Sequence, residues 1–219
     1  GRQSNPRIAN CTITSNVARS GAGLFNDGYR GNSSPEGVNC VFSGNKATRD
    51  GGGVYNFGGN NGNSSPLFVN CVFSGNKAER IGGGVFNDAV DATGGVCNPV
   101  FMNCSFSGNQ ADFGVGGMYN DAFTGTCSPT LTNCILWGNA GQIDNRNATP
   151  TVTFSIVQDG YAPCTDCPGG DGNADPLFIN QPTIALGTSG DLRLQACSPA
   201  VDAGTAAGAP ATDLDGNAR

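Results

Sequence analysis

An Asn-Cys pair that recurs along the first two thirds of the chain is the feature that most constrains its fold. The pairs are Asn10-Cys11, Asn39-Cys40, Asn70-Cys71, Asn103-Cys104 and Asn133-Cys134. Successive pairs lie 29, 31, 33 and 30 residues apart. A unit of this length cannot bury a hydrophobic core alone, so the repeat predicts units that stack on one another.

Each unit contains three short strand candidates separated by Gly, Asn, Ser and Pro. An apolar residue and a Ser-Gly-Asn turn follow the Asn-Cys pair, and a glycine run then leads into an apolar pair plus Asn. These segments are too short and too rich in glycine for helices. A β-propeller blade, with four antiparallel strands in about 40 or more residues, fits less well. The sequence predicts an all-β fold, a right-handed parallel β-helix (solenoid) of about five coils. Residues 1–157 form the coils, and residues 158–219 form an irregular C-terminal cap region packed on the last coil.

The rows of equivalent residues are assigned to faces by what they tolerate. The third position after each Asn is always apolar, so it points inward together with the cysteine: Ile13, Phe42, Phe73, Phe106 and Leu136. The intervening row is mixed and points outward: Thr12, Val41, Val72, Ser105 and Ile135. In the strand after the glycine run, the inward row is Leu24, Val54, Val85, Met118 and Ile143.

The neighbours of that last row form an outward aromatic row: Phe25, Tyr55, Phe86 and Tyr119. It shares its position with Asp144, and a row that accepts a carboxylate is expected to lie outside. Rings spaced by one coil could stack on sugar rings or on a partner subunit. The alternative is that the long loops fold over the row and bury it.

The asparagine of each Asn-Cys pair occupies the sharp turn between two strands, where Asn tolerates unusual backbone angles. Stacked amides can hydrogen-bond to the amides above and below. The sequence therefore predicts an asparagine ladder of Asn10, Asn39, Asn70, Asn103 and Asn133.

The ten cysteines indicate an oxidising, extracellular compartment. Those of the Asn-Cys pairs form a predicted buried column, either as small apolar core residues or as disulfide or metal partners. Cys97 and Cys127 each precede a proline by two residues in neighbouring coils, and this spacing predicts a disulfide between them. Cys164 and Cys167 form a single C-x-x-C, which favours a structural bridge that involves these two and also Cys197 as a candidate.

Two groups of oxygen-bearing residues are candidate calcium ligands. Asp88 and Asp121 follow the strand-ending Asn in adjacent coils and could share an ion; the competing interpretation is a solvated turn that uses Asp for its backbone preferences. Asp213, Asp215 and Asn217 resemble the first half of a calcium loop, without its remaining ligands. No cofactor is required by the sequence, and calcium is the only candidate.

Composition excludes several functions. The chain has no histidine, which argues against His-based triads and His-dependent zinc sites. A net charge of −6 leaves no basic face for nucleic acid. No apolar stretch approaches the roughly 20 residues that cross a bilayer.

The motifs Asn-Cys-x-Phe-Ser-Gly-Asn and Gly-Gly-Gly-Val-Tyr-Asn resemble bacterial right-handed parallel β-helix proteins, which include polymorphic outer-membrane-protein repeats and the pectate-lyase-like superfamily. The C-terminal third is similar to the choice-of-anchor Q domain family in segments 150–157, 174–178, 191–194, 197–204 and 212–217. The resemblance implies a secreted bacterial surface protein, generally without an assigned enzymatic activity. That family's pattern continues after Asp-Gly-Asn with a further strand, whereas this sequence stops at Arg219.

The leading hypothesis is a non-catalytic structural or adhesive module at the cell surface or in the extracellular matrix. Its N-terminal coil shows no capping helix, which predicts end-to-end self-association into a filament. The alternative is a polysaccharide-binding or polysaccharide-degrading protein, because pectate-lyase-like helices use calcium, carboxylates and a basic residue. Against an enzyme, the long basic residues occupy equivalent positions in successive units, as a repeat would place them: Lys46 and Lys77, and Arg49 and Arg80.

Overall fold

The chain folds into a parallel β-solenoid, as the repeat predicts. The structure, a computed structural model, describes residues 2–91, 93–182, 190–207, 209 and 211–214. Four complete coils, each with one strand in each of four sheets, are followed by a shorter fifth coil. Within the described residues there is no helix, and hence none that could span a membrane.

The strands are two to four residues long and follow one another coil by coil. The first coil contains β1 (Arg2–Gln3), β2 (Arg7–Ala9), β3 (Thr12–Thr14), β4 (Val17–Ala18), β5 (Leu24–Asp27) and β6 (Gly31–Asn32). The second contains β7 (Glu36–Val38), β8 (Val41–Ser43), β9 (Lys46–Ala47) and β10 (Val54–Phe57). The third contains β11 (Leu67–Val69), β12 (Val72–Ser74), β13 (Lys77–Ala78) and β14 (Val85–Asp88). The fourth contains β15 (Val100–Met102), β16 (Ser105–Ser107), β17 (Gln110–Ala111) and β18 (Met118–Asp121). The fifth contains β19 (Thr130–Thr132), β20 (Ile135–Leu136) and β21 (Ile143–Arg146), and then come β22 (Thr151–Thr153), β23 (Ile156–Val157), β24 (Cys164–Thr165), β25 (Phe178–Asn180) and β26 (Asp191–Leu194).

Equivalent strands of successive coils pair in parallel and build four sheets along the solenoid. The first sheet holds β2, β7, β11, β15, β19, β22 and β24; the second holds β3, β8, β12, β16, β20 and β23. The third sheet holds β4, β9, β13 and β17; the fourth holds β5, β10, β14, β18 and β21. The register places each repeat residue on its counterpart, as Phe42 on Phe73 and Phe73 on Phe106. Outside these sheets, β1 pairs with β6, and β25 with β26 as an antiparallel hairpin.

The core is a set of columns of identical side chains. Phe42, Phe73 and Phe106 stack at centroid distances of 5.1 and 4.6 Å. Phe68 and Phe101 form a second column at 5.4 Å and meet the first edge-on. All five rings are fully buried, which contributes roughly 2 to 3 kcal/mol for each side chain. The inward assignment of this row is confirmed.

The glycine run before the fourth sheet allows the coils to approach closely. A Cβ atom on Gly53 would lie 2.5 Å from the carbonyl oxygen of Gly84 in the next coil. Gly51 and Gly82 also have positive φ angles of 64° and 66°, which side chains rarely adopt. Gly53 is therefore required by the close backbone contact, and Gly51 and Gly82 by their backbone angles.

Three asparagine ladders run along the solenoid. The corner ladder, at the turn between the first and second sheets, is the predicted one, and its five residues have φ angles of 52° to 55°. Its amides bond between coils from Asn39 to Asn10, from Asn70 to Asn39 and from Asn133 to Asn103, at 2.9 to 3.1 Å. The turn ladder follows the second sheet and consists of Asn16, Asn45, Asn76, Asn109 and Asn139. The strand ladder lies in the fourth sheet and consists of Asn26, Asn56, Asn87, Asn120 and Asn145.

Each ladder ends, on the side of the fifth coil, at a group other than an asparagine side chain. In the turn ladder, Asn139 donates to Gln142 Oε1 at 2.7 Å. In the strand ladder, Asn145 donates to the Tyr161 hydroxyl at 3.0 Å. In the corner ladder, Asn133 pairs with the backbone of Thr205. These bonds satisfy the last amide of every ladder, so this end of the solenoid is closed by hydrogen bonds.

The C-terminal segment extends well beyond the last coil. The described residues from 196 to 214, which we call the C-terminal strap, reach back along the corner ladder as far as Asn70, whose Nδ2 donates to the Thr212 carbonyl at 2.8 Å. The strap and the β25–β26 hairpin lie over the outer face of the second sheet. The outward row of that sheet carries Val41, Val72 and Ile135, which are half-buried. The strap explains why an outward row can be apolar.

Candidate functional site

The outward aromatic row forms a stack on the fourth sheet. Neighbouring ring centroids lie 5.0 Å apart for Phe25 and Tyr55, 4.9 Å for Tyr55 and Phe86, and 5.7 Å for Phe86 and Tyr119. Exposure falls from 47% at Phe25 to 4% at Phe86, and Tyr119 is again half-buried. The faces of the first three rings are stacked on one another, so an external partner would contact the ring edges.

A second pair of rings widens the exposed end of the stack. Tyr29 stacks on Phe57 at 6.2 Å, and Phe57 lies 6.0 Å from Tyr55. The Arg30 guanidinium lies over the Tyr29 ring at 5.2 Å. Phe25, Tyr29, Tyr55 and Phe57, which we call the aromatic patch, thus form a contiguous apolar surface on the first two coils. A surface of this kind is suited to contact with sugar rings or an apolar protein surface.

A buried carboxyl group lies beside the patch. Tyr55 donates its hydroxyl hydrogen bond to Asp88 Oδ2 at 2.6 Å. Burial, opposed by this bond, raises the pKa of Asp88 to about 6. Burial, together with the charge of Asp88, also raises the pKa of Tyr55. Asp88 therefore changes between its neutral and charged forms near pH 6, and its hydrogen bond joins the third coil to the Tyr55 ring of the second.

The aspartates that follow the strand-ending Asn, which include the predicted calcium ligands Asp88 and Asp121, accept hydrogen bonds within turns. Asp27, Asp88 and Asp121 each accept a hydrogen bond from the backbone N–H two residues later, at 3.0, 2.8 and 3.1 Å. Asp121 also forms an ion pair with Arg146 at 3.3 Å. This geometry agrees with the interpretation that these aspartates stabilise turns.

No group of three or more acidic or cysteine side chains that could hold a metal ion is found in the part of the chain that the structure describes. Asp213 lies in the strap and lines the groove between the strap and the second sheet. Asp215 and Asn217 lie outside the described residues. Calcium binding remains a prediction.

The repeated basic residues form ion pairs between coils. Lys46 pairs with Glu79 at 3.1 Å, and Lys77 pairs with Asp112 at 2.9 Å. Arg80 lies 3.4 Å from Asp50, a buried carboxylate whose pKa burial raises against the effect of the neighbouring arginines. These ion pairs link side chains of neighbouring coils.

Seven of the ten cysteines are buried, mostly as columns of free thiols. Cys40, Cys71, Cys104 and Cys134 are inward and free, whereas Cys11 is exposed. Each of the four buried thiols donates to a nearby backbone carbonyl, as Cys104 does to Met102 at 3.4 Å. Burial raises the pKa of the Cys104 thiol. These contacts favour the core-residue interpretation of the column.

The predicted Cys97–Cys127 disulfide is wrong in the structure, because both thiols are free and buried. Their coils are in register, since the Cys97 N–H donates to the Thr126 carbonyl at 2.9 Å. Side chains in register on parallel strands point the same way, at about the strand spacing of 4.8 Å, whereas a disulfide brings the two Cβ atoms to about 3.8 Å. The structure instead bridges Cys164 and Cys167, with a Cα–Cα distance of 5.8 Å, and leaves Cys197 free and exposed.

Sequence reasoning missed two of the three ladders and the strap. The turn and strand ladders are visible in the sequence as the repeated Asn of Ser-Gly-Asn and of Val-Tyr-Asn, but a repeated Asn at such places indicates a turn or a strand boundary equally well. The strap follows no repeat, so its docking on the corner ladder has no counterpart in the pattern.

Comparison with known proteins shows a likeness to a family of repeats. Residues 39–56 and 70–88 match the Chlamydia polymorphic membrane protein (Chlamydia_PMP) repeat. These two segments each run from the corner asparagine of one coil to the end of its fourth-sheet strand or the residue before that end. No curated protein and no solved structure matches the chain.

The repeat match and the parallel solenoid together fit a surface β-helix protein. Polymorphic membrane protein repeats indicate a bacterial surface or outer-membrane protein. A cell-surface location is consistent with both observations.

Proposed function

We propose that this chain is a non-catalytic structural or adhesive module of a secreted bacterial surface protein, and that it resembles the choice-of-anchor Q family in its C-terminal third. The observation that carries this proposal is that the repeated polar side chains already form hydrogen bonds and ion pairs within the solenoid. The repeated Asp, Lys and Arg side chains of the inner coils are engaged in turns and in ion pairs between coils. The polymorphic membrane protein repeat supports the surface location.

The aromatic patch supports the adhesive form of the proposal. Phe25 and Tyr29 are 47% and 44% exposed, although each could have been polar without disturbing the inward rows. Exposed rings that are rigidly stacked lose little conformational entropy on binding. The patch is therefore the surface on which contact with a glycan or another surface protein is proposed.

Retention and turnover on immobilised polymers test the proposal. Beads coated with the protein are applied to immobilised polygalacturonate, alginate and neutral glycans with calcium, and both retention and soluble unsaturated or reducing products are measured. We expect retention on at least one polymer without products. Formation of products that is lost in a variant of Asp88 or Asp121 would instead establish the enzymatic alternative.

The variants Phe25→Ala and Tyr29→Ala assign retention to the patch. Both should reduce retention severalfold, because they remove the most exposed rings. Phe123→Ala is the matched control, since Phe123 is 56% exposed but lies under Arg146 in the fourth coil. Equal loss in all three variants would contradict an adhesive role for the patch, and absence of retention on every surface would leave only the structural role.

A further inference from the structure

The loop that follows the fifth coil closes one end of the core. Residues 158–173, which we call the closing loop, contain β24, which pairs in parallel with β22 and places Cys164 beside Val152. These two residues continue an inward row of the first sheet, which runs through Phe101, Leu131, Val152 and Cys164. Cys164 therefore packs against the core as the last member of this row.

Cys167 occupies the next corner of the solenoid. It follows Asp166, whose φ angle of 55° lies in the range of the corner asparagines. The Ser155 N–H donates to Cys167 Sγ at 3.3 Å, as the Cys134 N–H donates to Ser155 Oγ at 3.0 Å one step earlier. The disulfide between Cys164 and Cys167 thus joins an inward position of the first sheet to the corner beside it, so it constrains β24 at the end of the last coil.

The closing loop supplies the last hydrogen bonds of three rows. The Phe154 N–H donates to the Thr165 carbonyl, and the Val157 N–H donates to the Gly172 carbonyl, both at 2.9 Å. The Tyr161 hydroxyl accepts from the last amide of the strand ladder at 3.0 Å. These groups would be exposed to water if the loop moved away, so the position of the loop decides whether the last coil has a free edge.

The two sulfur atoms of the bridge have different surroundings. Cys164 is half-buried whereas Cys167 is 8% exposed, so an incoming thiolate reaches Cys164 Sγ more readily and Cys167 becomes the leaving group. The Ser155 N–H that donates to Cys167 Sγ stabilises the negative charge of a leaving thiolate. The Thr165 carbonyl, 3.5 Å from this sulfur, accepts a hydrogen bond once the sulfur is a thiol. Cys164 Sγ instead lies 3.9 Å from the Ser155 carbonyl oxygen, which offers no stabilisation to a thiolate.

We propose that the Cys164–Cys167 disulfide is a thiol-exchange site, with small thiols as its reductants, and that its reduction releases the closing loop. A first thiolate attacks Cys164 Sγ and forms a mixed disulfide, while the electron pair of the broken S–S bond goes to Cys167, which then takes a proton from water. A second thiolate attacks the reductant's sulfur in the mixed disulfide. Cys164 leaves as a thiolate and is protonated, and the two reductant thiols end as one disulfide. This site is separate from the aromatic patch and does not depend on its role.

The effect of reduction should be confined to the closing loop. A bridge between residues three apart closes a short loop, and such a bridge restricts the unfolded chain less than a long-range one does. Without the bridge, β24 is held to β22 by a pairing of only two residues. Reduction therefore frees the loop while the inward columns and the ladders of the inner coils stay in place.

Hydrogen exchange measured by mass spectrometry tests the release. The full chain is compared before and after incubation with dithiothreitol under native conditions. We expect peptides covering residues 150–157 to exchange at least about tenfold faster after reduction, and peptides covering residues 70–76 to be unchanged. Unchanged exchange at residues 150–157, or equal acceleration throughout the chain, would overturn the proposal. A bridge that dithiothreitol reduces only in denaturant would overturn it equally.

The double variant Cys164→Ala with Cys167→Ala separates the effect of the bridge from that of the reductant. It has no bridge in either condition, so its residues 150–157 should exchange fast with and without dithiothreitol. The double variant Cys11→Ala with Cys197→Ala is the matched control, because it removes the two exposed free thiols, keeps the bridge and should respond as the wild type does. Slow exchange in the variant without the bridge, or a control that no longer responds to dithiothreitol, would contradict the role of the bridge.

Trapping the mixed disulfide tests which sulfur is attacked. The wild-type chain is incubated with reduced glutathione and quenched with N-ethylmaleimide, and fragment mass spectrometry locates both adducts. We expect glutathione on Cys164 and the maleimide on Cys167, because the more exposed sulfur is attacked and the other leaves. The reverse arrangement, or glutathione shared equally between the two cysteines, would overturn the assignment of Cys164 as the attacked sulfur.

Discussion

At the scale of single residues, the same side-chain type has different roles that depend on burial. Asp27 and Asp88 occupy equivalent positions and close the same kind of turn. Asp27 is exposed, whereas Asp88 is 8% exposed and receives the Tyr55 hydroxyl. The turn role was predictable from the repeated Asn-Asp motif. The coupling of Asp88 to a ring of the previous coil was not, because it depends on the direction of the Tyr55 side chain.

Asp88 gives the solenoid a pH dependence of known sign. Its pKa of about 6 in the folded chain lies above the ordinary 3.8, so its contribution to stability is fully present below about pH 4 and is lost as the pH rises through about 6. The variant Asp88→Asn keeps the turn and removes this loss. Chemical unfolding from pH 4 to pH 7.5 should show the variant gaining about 2 kcal/mol on the wild type over that range.

The same exchange at the exposed Asp27 is the control for Asp88→Asn. A constant difference between the Asp88 variant and the wild type over the whole pH range would show that the buried carboxyl is not the group responsible.

At the scale of elements, the ladders hold the coils together where the strands are shortest. The third sheet has strands of only two residues, so its ladder of backbone bonds is brief. The turn ladder lies immediately before these strands and is buried at Asn45, Asn76 and Asn109. Buried amides that hydrogen-bond to one another supply bonds between coils that a longer strand would otherwise provide.

Removing one amide from the middle of the turn ladder should be costly. Asn76 Oδ1 accepts from the backbone and side-chain nitrogens of Asn45, and Asn76 Nδ2 donates to the Phe42 carbonyl and to Asn109, all at 2.9 to 3.0 Å. The variant Asn76→Leu loses four bonds and leaves their buried partners unsatisfied. We expect the free energy of unfolding to fall by about 3 to 5 kcal/mol, measured by urea denaturation.

Asn16→Leu is the control at the exposed end of the same ladder. The side chain of Asn16 makes a single bond, to Asn45, so this substitution should cost no more than about 1 kcal/mol. Similar losses for the two variants would mean that the ladder does not act through buried hydrogen bonds.

How far the sequence predicts this molecule depends on whether a feature repeats. Rows such as Phe42, Phe73 and Phe106 could be placed inward because period two and stacking leave one arrangement. The Cys97–Cys127 prediction identified neighbouring residues but the wrong bond, since register alone does not bring two Cβ atoms within disulfide distance. Turn residues such as Asn76 escape the period-two rule, so their burial could not be read from the pattern.

At the scale of the whole molecule, the strap converts an open solenoid face into a covered one. It follows the last coil, turns back and reaches the third coil through Asn133 and Asn70. The position of such a non-repeating segment depends on tertiary contacts, which the repeat pattern does not predict. The last amides of the turn and strand ladders are likewise satisfied by Gln142 and Tyr161.

Removal of the strap should therefore expose apolar surface without unfolding the coils. A variant that ends at Gln195 keeps the β25–β26 hairpin but uncovers the outward row with Val41, Val72 and Ile135. Because the inward columns remain intact, we expect circular dichroism to stay that of a β protein while bis-ANS fluorescence rises severalfold. In the same truncated chain, Val72→Ser together with Ile135→Ser should bring the fluorescence back towards the level of the full chain. Unchanged dye binding on truncation would show that the strap does not shield the second sheet, and a loss of the β signal would show that the coils depend on the strap for folding.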